Sequence, residues 1–399
     1  MGEKSKGAIV VPQDTSTHGI ECLRSLSRQG VHTIAVAESA RNPAFRSRYC
    51  DEAIVGPSRQ RNLDEYRDCL LALANRDDVR TIVPLVEEDV YVLSKHRTEF
   101  SEQIVPVWPS LRTLRTAHDR LELIEAAVDV GVPVPDTHLL SEIDAVDRDS
   151  IVKARYALLT EEYVDTIPPG KSYKTNHTVC LSPEVEIDRQ RIRNRMKHDP
   201  IVQEFVEGDG IEYSCRVLCD RGEPIAFCMK HQIRGRSYGG GSSVYRESTY
   251  DQTLKELSTS LLRSIEWHGI ASVCFIKDAT TGAFKLTEIN PRIPVSISMD
   301  VRAGVDFPYY LWQLATKDQV RVDSPYVRGV GTHDPIGEVR YLLSILTTDH
   351  PFTDRPSLWE KFREMTASVI AQPHFEYCYL DDPVPFFRSL SFRASKSTS

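Results

Sequence analysis

Apolar, strand-like runs alternate with amphipathic, helix-like stretches at the start of the chain, and this alternation constrains the fold more than any other feature. The strand-like runs lie at 9–11, 33–37 and 81–85, and the helix-like stretches at 20–30 and 64–74. Strands joined by helices at this spacing form right-handed crossovers in a parallel sheet. The pattern predicts a parallel α/β domain over residues 1–110.

The rest of the chain mixes both periodicities. Helices are predicted at 119–130 and 253–266, and strands at 151–155, 201–206, 213–219, 224–230, 272–277 and 285–289. Two stretches rich in proline or glycine, 165–174 and 237–243, are predicted to form no regular element. The pattern after about residue 325 is helical. A chain of 399 residues has room for about two or three domains.

Composition excludes several classes of protein. Acidic side chains outnumber basic ones by 57 to 49, and the net charge of −8 argues against a general nucleic-acid-binding surface. The nine cysteines form no C-x-x-C pair and none has zinc-binding spacing from a histidine, which favours reduced, inert thiols. The apolar run Ala8–Val11 is too short for a membrane span or a signal sequence. These absences predict a cytoplasmic protein with no membrane and no nucleic-acid partner.

The motif Glu288-Ile289-Asn290-Pro291-Arg292 carries the clearest chemistry. Residues two apart on a strand face the same side, so Glu288 and Asn290 point together. A carboxylate and an amide oxygen side by side suit a hard cation such as Mg²⁺. Arg292 follows Asn290 by two residues, and its guanidinium can bind a phosphate bidentately beside the metal. The alternative interpretation is an acidic strand end followed by a proline turn.

A basic run leads into the glycine-rich stretch 237–243. If the strand continues beyond Lys230, alternation puts Arg234 and Arg236 on the same face as that lysine. We expect this face to bind a phosphate or a carboxylate beside a mobile, glycine-rich loop. A solvated charged edge is the alternative.

The motif at 288–292 is accompanied by other segments in a characteristic order. These are Trp267-His268-Gly269-Ile270, the hairpin Ser272–Ile289 and the stretch 302–308. Together they resemble the C-terminal lobe of the ATP-grasp superfamily, in the branch of the carbamoyl-phosphate synthase large subunit. The resemblance implies an α/β fold, α+β in the ATP-grasp lobes. Its implied domains are a preceding α/β domain at 1–110, an ATP-grasp domain at 111–325 (small lobe about 140–208, large lobe completed by 209–325) and a C-terminal helical appendage at 326–399.

The resemblance also implies a role for individual residues. Those that match its ATP-binding positions are Arg120, Lys153, Gln203, Glu204, Phe205, Val206 and Glu212. Among them, Arg120 and Lys153 would reach phosphates, residues 203–206 would form the adenine-binding hinge between lobes, and Glu212 would accept the ribose hydroxyls. Glu288 and Asn290 match metal ligands. The residues expected at the reacting groups are Arg292, Lys230 and Arg234.

The function implied by the resemblance is that of an ATP-dependent carboxylate–amine ligase. ATP and Mg²⁺ (or Mn²⁺) would convert a small-molecule carboxylate into an acyl phosphate, which an amine or amino acid then attacks, releasing ADP and phosphate. Two alternatives stay open: a non-catalytic or weakly active nucleotide-binding protein, and carbamoyl-phosphate-type chemistry on bicarbonate. A homodimer is the default expectation for the assembly.

Two departures from the family pattern bear on activity. Relatives carry a further metal ligand on the strand before the motif, where this chain has Cys274, and a neutral thiol binds Mg²⁺ poorly. Asp278 is a candidate substitute. Relatives also cover the phosphates with a glycine-rich loop, whereas this chain has Pro168-Pro169-Gly170-Lys171-Ser172. That loop could still close over phosphate through its backbone and Lys171, or it could be a plain surface loop.

Overall fold

The computed structural model describes residues 7–14, 18–174, 178–208, 212–317, 319–322 and 325–396. It is a mixed α/β structure built on three sheets. Among the helices of these ranges, none combines the length and apolar character that a bilayer-spanning segment needs.

The first sheet is parallel, as the alternation of strands and helices predicts. Its four strands lie in the order β3-β2-β1-β4. They are β1 (Ala8–Pro12), β2 (His32–Ala37), β3 (Glu52–Val55) and β4 (Val79–Ile82). The helices of this region are α1 (His18–Arg28), α2 (Leu63–Ala74), α3 (Glu87–Lys95) and α4 (Arg97–Ser101), with a short 3-10 helix at Pro43–Arg46. Strand β1 is fully buried because helices cover both faces of a parallel sheet.

The small sheet follows two connecting helices, α5 (Leu111–His118) and α6 (Arg120–Asp129). Its antiparallel strands lie in the order β5-β8-β6-β7. They are β5 (Thr137–Leu139), β6 (Ser150–Lys153), β7 (Val179–Leu181) and β8 (Ile201–Glu204), and helix α7 (Arg189–Met196) packs on them. Leu140, Val152 and Met196 are central to its separate apolar core.

The large sheet has six antiparallel strands in the order β13-β12-β9-β10-β11-β14. They are β9 (Glu212–Asp220), β10 (Glu223–Ser237), β11 (Gly240–Thr249), β12 (Gly269–Lys277), β13 (Phe284–Asn290) and β14 (Gly331–His333). Its helices are α8 (Gln252–Ser264), α9 (Ile297–Arg302) and α10 (Phe307–Thr316). The apolar stripe of α8 packs against β9 through Leu254 and Leu261.

The prediction that 237–243 forms no regular element is wrong. Strand β10 extends to Ser237 and β11 begins at Gly240, so the glycines form a tight hairpin between two long strands. Gly240 and Gly241 have φ of 112° and 89°, values that side chains with a Cβ rarely adopt. A run of glycines therefore marks a sharp turn here, where its flexibility alone suggested a loop.

Three helices dominate the chain after residue 325: α11 (Pro335–Thr347), α12 (Leu358–Ala371) and α13 (Val384–Lys396). Strand β14 also adds this region to the large sheet, where it pairs with β11. The segment between α11 and α12 reaches the hairpin, because the His350 ring lies against Gly239 and bonds Ser237 at 2.6 Å.

Candidate functional site

Glu288 lies at the centre of a polar cluster near the end of β13. Its Oε2 accepts a bond from Nη2 of Arg120 at 3.0 Å, and its Oε1 accepts one from Nδ2 of Asn290 at 3.0 Å. Burial acts to raise the pKa of Glu288, but Arg120, the Asn290 bond and Lys153 outweigh it and lower that pKa. The carboxylate is therefore held in its charged form.

Arg120 connects the small sheet to the large one. It is the first residue of α6, and its backbone N–H donates to the carbonyl of Arg155 at 2.9 Å. Its Nη1 donates to the carbonyl of Ala154 at 2.8 Å, while Nη2 bonds Glu288. One guanidinium thus binds the end of β6 and the carboxylate on β13 at the same time.

Lys153 is the last residue of β6 and faces the same cluster. Its Nζ donates to Oε1 of Gln203 at 3.2 Å. Burial and the positive charge of Arg120 lower the pKa of Lys153 to about 8, although Glu288 and Glu212 act in the opposite direction. A lysine with this pKa loses its charge within the range in which enzymes are commonly assayed.

Arg292 joins the cluster through Asn290 and through a residue that the sequence did not single out. Its Nη2 donates to Oδ1 of Asn290 at 3.0 Å, and its Nε lies 3.2 Å from Oε1 of Glu87. The other oxygen of Glu87 lies 3.2 Å from Nε2 of the buried His118. The only sequence signal for Glu87 is a run of three acids at the start of α3, directly after a buried strand.

Lys230 and Glu212 form a pair on neighbouring strands. Nζ of Lys230 lies 2.8 Å from Oε1 of Glu212, and the lysine is buried. Glu212 also acts on the pKa of Lys153, so this pair borders the cluster around Glu288. The structure thus brings Lys230 to the predicted site, with its charge balanced by the predicted ribose-binding acid.

The predicted adenine hinge spans the last two residues of β8 and the two residues after it, and most of its side chains have defined partners. Gln203 donates to Oγ1 of Thr137 at 3.0 Å, and Glu204 accepts a bond from Lys285 at 2.6 Å. The Phe205 ring packs against Phe352, from the segment between α11 and α12, with centroids 4.9 Å apart. The next residue, Val206, is half-buried. The hinge assignment stays a prediction.

The structure does not bring Arg234 to this cluster. Strand β10 does continue through it, but its Nη1 lies 2.8 and 2.7 Å from the two oxygens of Glu338 on α11. Arg234 is buried, whereas Arg236 is exposed, because register shifts after Gln232 disrupt the alternation. The contacts of Arg234 thus attach α11 to the large sheet, and its catalytic role stays a prediction.

Cys274 is directly opposite Glu288 in the register of β12 and β13. Asn290 lies 3.6 Å from its sulfur, and burial raises the pKa of the thiol well above its usual range. A protonated thiol is a poor ligand for a hard cation. The candidate substitute, Asp278, pairs with Lys285 at 3.0 Å and accepts two backbone bonds in its own turn. Across the described ranges, no group of three His, Cys, Asp or Glu side chains is arranged to hold a metal ion.

The loop at 168–172 contacts the region of the first sheet. Nζ of Lys171 donates to the carbonyl of Arg61, and the carbonyl of Gly170 accepts a bond from the N–H of Leu63 at 2.9 Å. These contacts dock the loop at the start of α2.

Comparisons with known proteins agree with this architecture. Residues 197–332 match a family described as "ATP-grasp in the biosynthetic pathway with Ter operon". The biotin carboxylase domain of Hydrogenobacter thermophilus 2-oxoglutarate carboxylase, crystallised with MgADP, ADP and bicarbonate, has a TM-score of 0.61 at 17% identity, over 81% of this chain and 72% of that one. L-amino acid ligase from Bacillus licheniformis has a TM-score of 0.56 at 12% identity, over 80% and 78%.

Pyruvate carboxylase from Rhizobium etli also matches, with a TM-score of 0.57 at 17% identity over 80% of this chain. The match spans only 30% of that larger enzyme. At these identities the likeness concerns the fold. The chain therefore has the ATP-grasp fold, and its residues 197–332 carry the sequence pattern of an ATP-grasp family.

Proposed function

We propose that this protein is an ATP-dependent ligase that activates a small-molecule carboxylate and joins it to an amine. The observation that supports this most is the charge arrangement around Glu288. Arg120 and Asn290 each bond one oxygen of this carboxylate, Lys153 acts on it electrostatically, and Arg292 bonds the same Asn290 side chain. Phosphoryl transfer depends mainly on positioning the reactants and on neutralising the charge of the phosphates. Cationic side chains around a carboxylate that could bind a metal suit both requirements.

The residues fit ATP and Mg²⁺ in a specific division of roles. Lys153 and Arg120 would bind the phosphates, and Glu288 with the amide oxygen of Asn290 would hold Mg²⁺. One carboxylate and one amide oxygen suffice, since Mg²⁺ in such sites takes its remaining ligands from substrate phosphates and water. When bound, Mg²⁺ would neutralise the negative charge of the phosphates.

In the proposed reaction, a carboxylate oxygen of the substrate bonds to the γ-phosphorus of ATP and ADP departs. The nitrogen of an amine then bonds to the acyl carbon, the bond from that carbon to phosphate oxygen breaks, and the amine releases a proton. Arg292, held by Asn290 and Glu87, would stabilise the acyl phosphate. The similarity to L-amino acid ligase supports an amine acceptor, and the family description supports a biosynthetic role.

The test is ADP release from ATP and Mg²⁺ in the presence of pooled carboxylates and amines, with mass spectrometry of the products. We expect one pool to stimulate ADP release and to yield a new product whose mass is that of the carboxylate plus the amine less one water. Glu288→Gln should abolish this turnover, whereas the same change at the exposed Glu184 should not. Full activity of Glu288→Gln would refute the metal assignment.

A second candidate is a nucleotide-binding protein with little or no turnover. Cys274 favours it, because a protonated thiol lies at the strand position opposite Glu288, where the family pattern that this chain resembles implies a metal ligand. ATP binding without stimulated ADP release in any pool would support this candidate. A gain of turnover in Cys274→Asp would then identify the missing ligand as the cause.

A further inference from the structure

A cavity of about 470 Å³ lies between the end of α7 and the loop at 168–172. This volume is within the range of about 300–1,000 Å³ that is usual for pockets that bind small molecules. Two segments line it. The loop side supplies residues 166–168 and Tyr173, and the helix side supplies Arg193, Asn194, Lys197 and His198.

The cavity is separate from the cluster around Glu288. None of the described residues that line it belongs to that cluster. Helix α7 packs on the face of the small sheet that carries Val152, whereas Lys153, the next residue along the strand, faces the cluster. The cavity is therefore a second site, to which the proposed reaction assigns no ligand.

The polar groups of the lining are mainly hydrogen-bond donors. Arg193 bonds Asp199 through Nε at 2.9 Å, and its terminal nitrogens bond no other described residue. Asn194 accepts a bond from Gln190 through its amide oxygen, while both ring nitrogens of His198 already lie at bonding distance from backbone groups. Among the described residues that line the cavity, none is acidic. Such a lining favours an anionic ligand over a cationic one.

Lys197 supplies a positive charge that no acid of the described chain balances. Its Nζ lies 4.1 Å from the centre of the Tyr173 ring, which orients the ammonium group but leaves its charge in place. Lys197 ends α7 with a φ of 64°, in the left-handed region where glycine is the usual residue. Backbone strain of this kind is often found at ligand sites.

We propose that this cavity binds a small molecule bearing a phosphate or a carboxylate group, with Lys197 and Arg193 as the cationic contacts of that group. The inference goes beyond the proposed ligase function and does not depend on it, because the two sites share no residue. A ligand in this position would connect α7 to both flanks of the loop at 168–172, which docks at the start of α2.

The test is a fluorescence titration of the full chain carrying Tyr173→Trp. This substitution places a reporter in the lining and keeps an aromatic face for Lys197. The probes are inorganic phosphate and malonate, and sodium chloride of equal ionic strength controls for screening. The same titration of the wild-type chain corrects for its own tryptophans. We expect a saturable change that sodium chloride does not reproduce, and the tighter probe identifies the class of anion.

Lys197→Gly in this background is the decisive variant. Glycine adopts the left-handed conformation without strain, so the variant should fold at least as stably while it loses the charge. We expect the dissociation constant of the tighter probe to rise about fivefold, as for an exposed ion pair. Arg191→Gln removes a positive charge from the same helix outside the cavity and should leave that constant nearly unchanged. Absence of a saturable change, or an equal constant in Lys197→Gly, would overturn the inference.

Discussion

The pKa of Lys153 gives a sharp prediction for nucleotide binding. Burial and Arg120 lower this pKa to about 8, from about 10.5 for a free lysine. The ammonium group therefore loses its proton, and its positive charge, as pH rises through about 8. The proposed interaction with phosphate is lost with that charge. Between about pH 7 and about pH 9.5, the protonated fraction falls about 30-fold for a pKa near 8, but by only about a tenth for an ordinary lysine.

The assay is the dissociation constant of a non-hydrolysable ATP analogue, measured with Mg²⁺ by calorimetry across this range. We expect affinity to fall by about one order of magnitude for each pH unit above about 8, until the contribution of the charge is lost. Lys153→Arg should lack this fall, because a guanidinium stays protonated throughout. Glu212→Gln should move the fall to lower pH, since Glu212 raises the pKa of Lys153. Constant affinity of the wild-type protein for the ATP analogue up to about pH 9.5 would refute the assignment of Lys153 to phosphate binding.

Three further predictions concern individual side chains. Glu338→Gln leaves the charge of Arg234 buried without its partner and should reduce the free energy of unfolding by about 3 kcal/mol, measured by urea denaturation. The double variant Arg234→Met with Glu338→Leu should recover much of this loss. Turnover in that double variant would show that Arg234 is not catalytic. Because burial raises the pKa of Cys274, iodoacetamide at about pH 8 should label the two exposed cysteines and spare this one in the native protein, as peptide mass spectrometry would reveal. Glu87→Gln should lower kcat about tenfold with little change in KM for ATP, since it loosens Arg292 and leaves the nucleotide contacts intact; a rise in that KM alone would contradict this role.

Periodicity in the sequence predicted three of the four strands of the first sheet, because each of them lies at a short apolar run. It missed the edge strand β3 (Glu52–Val55), whose side chains alternate between half-buried and exposed. It also predicted that Glu288 and Asn290 face the same way, because that follows from strand geometry alone. The hairpin at 237–243 was missed for a local reason. A run of glycines is compatible with a loop and with a tight turn, and only the pairing of β10 with β11 distinguishes them.

The contacts that could not be predicted from the sequence join segments that are far apart along the chain. Glu87 lies about 200 residues before Arg292, and Glu338 lies 104 residues after Arg234. Nothing in the local pattern around either acid specifies its partner. Such pairs depend on how α3 and α11 pack against the strands, which is a property of the tertiary structure.

The bonds to Glu288 have a consequence for how a nucleotide would enter. Without a nucleotide, this carboxylate balances the charge of Arg120 and influences Lys153, so it serves as an internal counter-ion for both. Under the proposed function, the triphosphate would take over that role while Glu288 turns to the metal. Binding would then be an exchange of counter-ions between groups already in position, and little reorganisation of the two sheets would be needed.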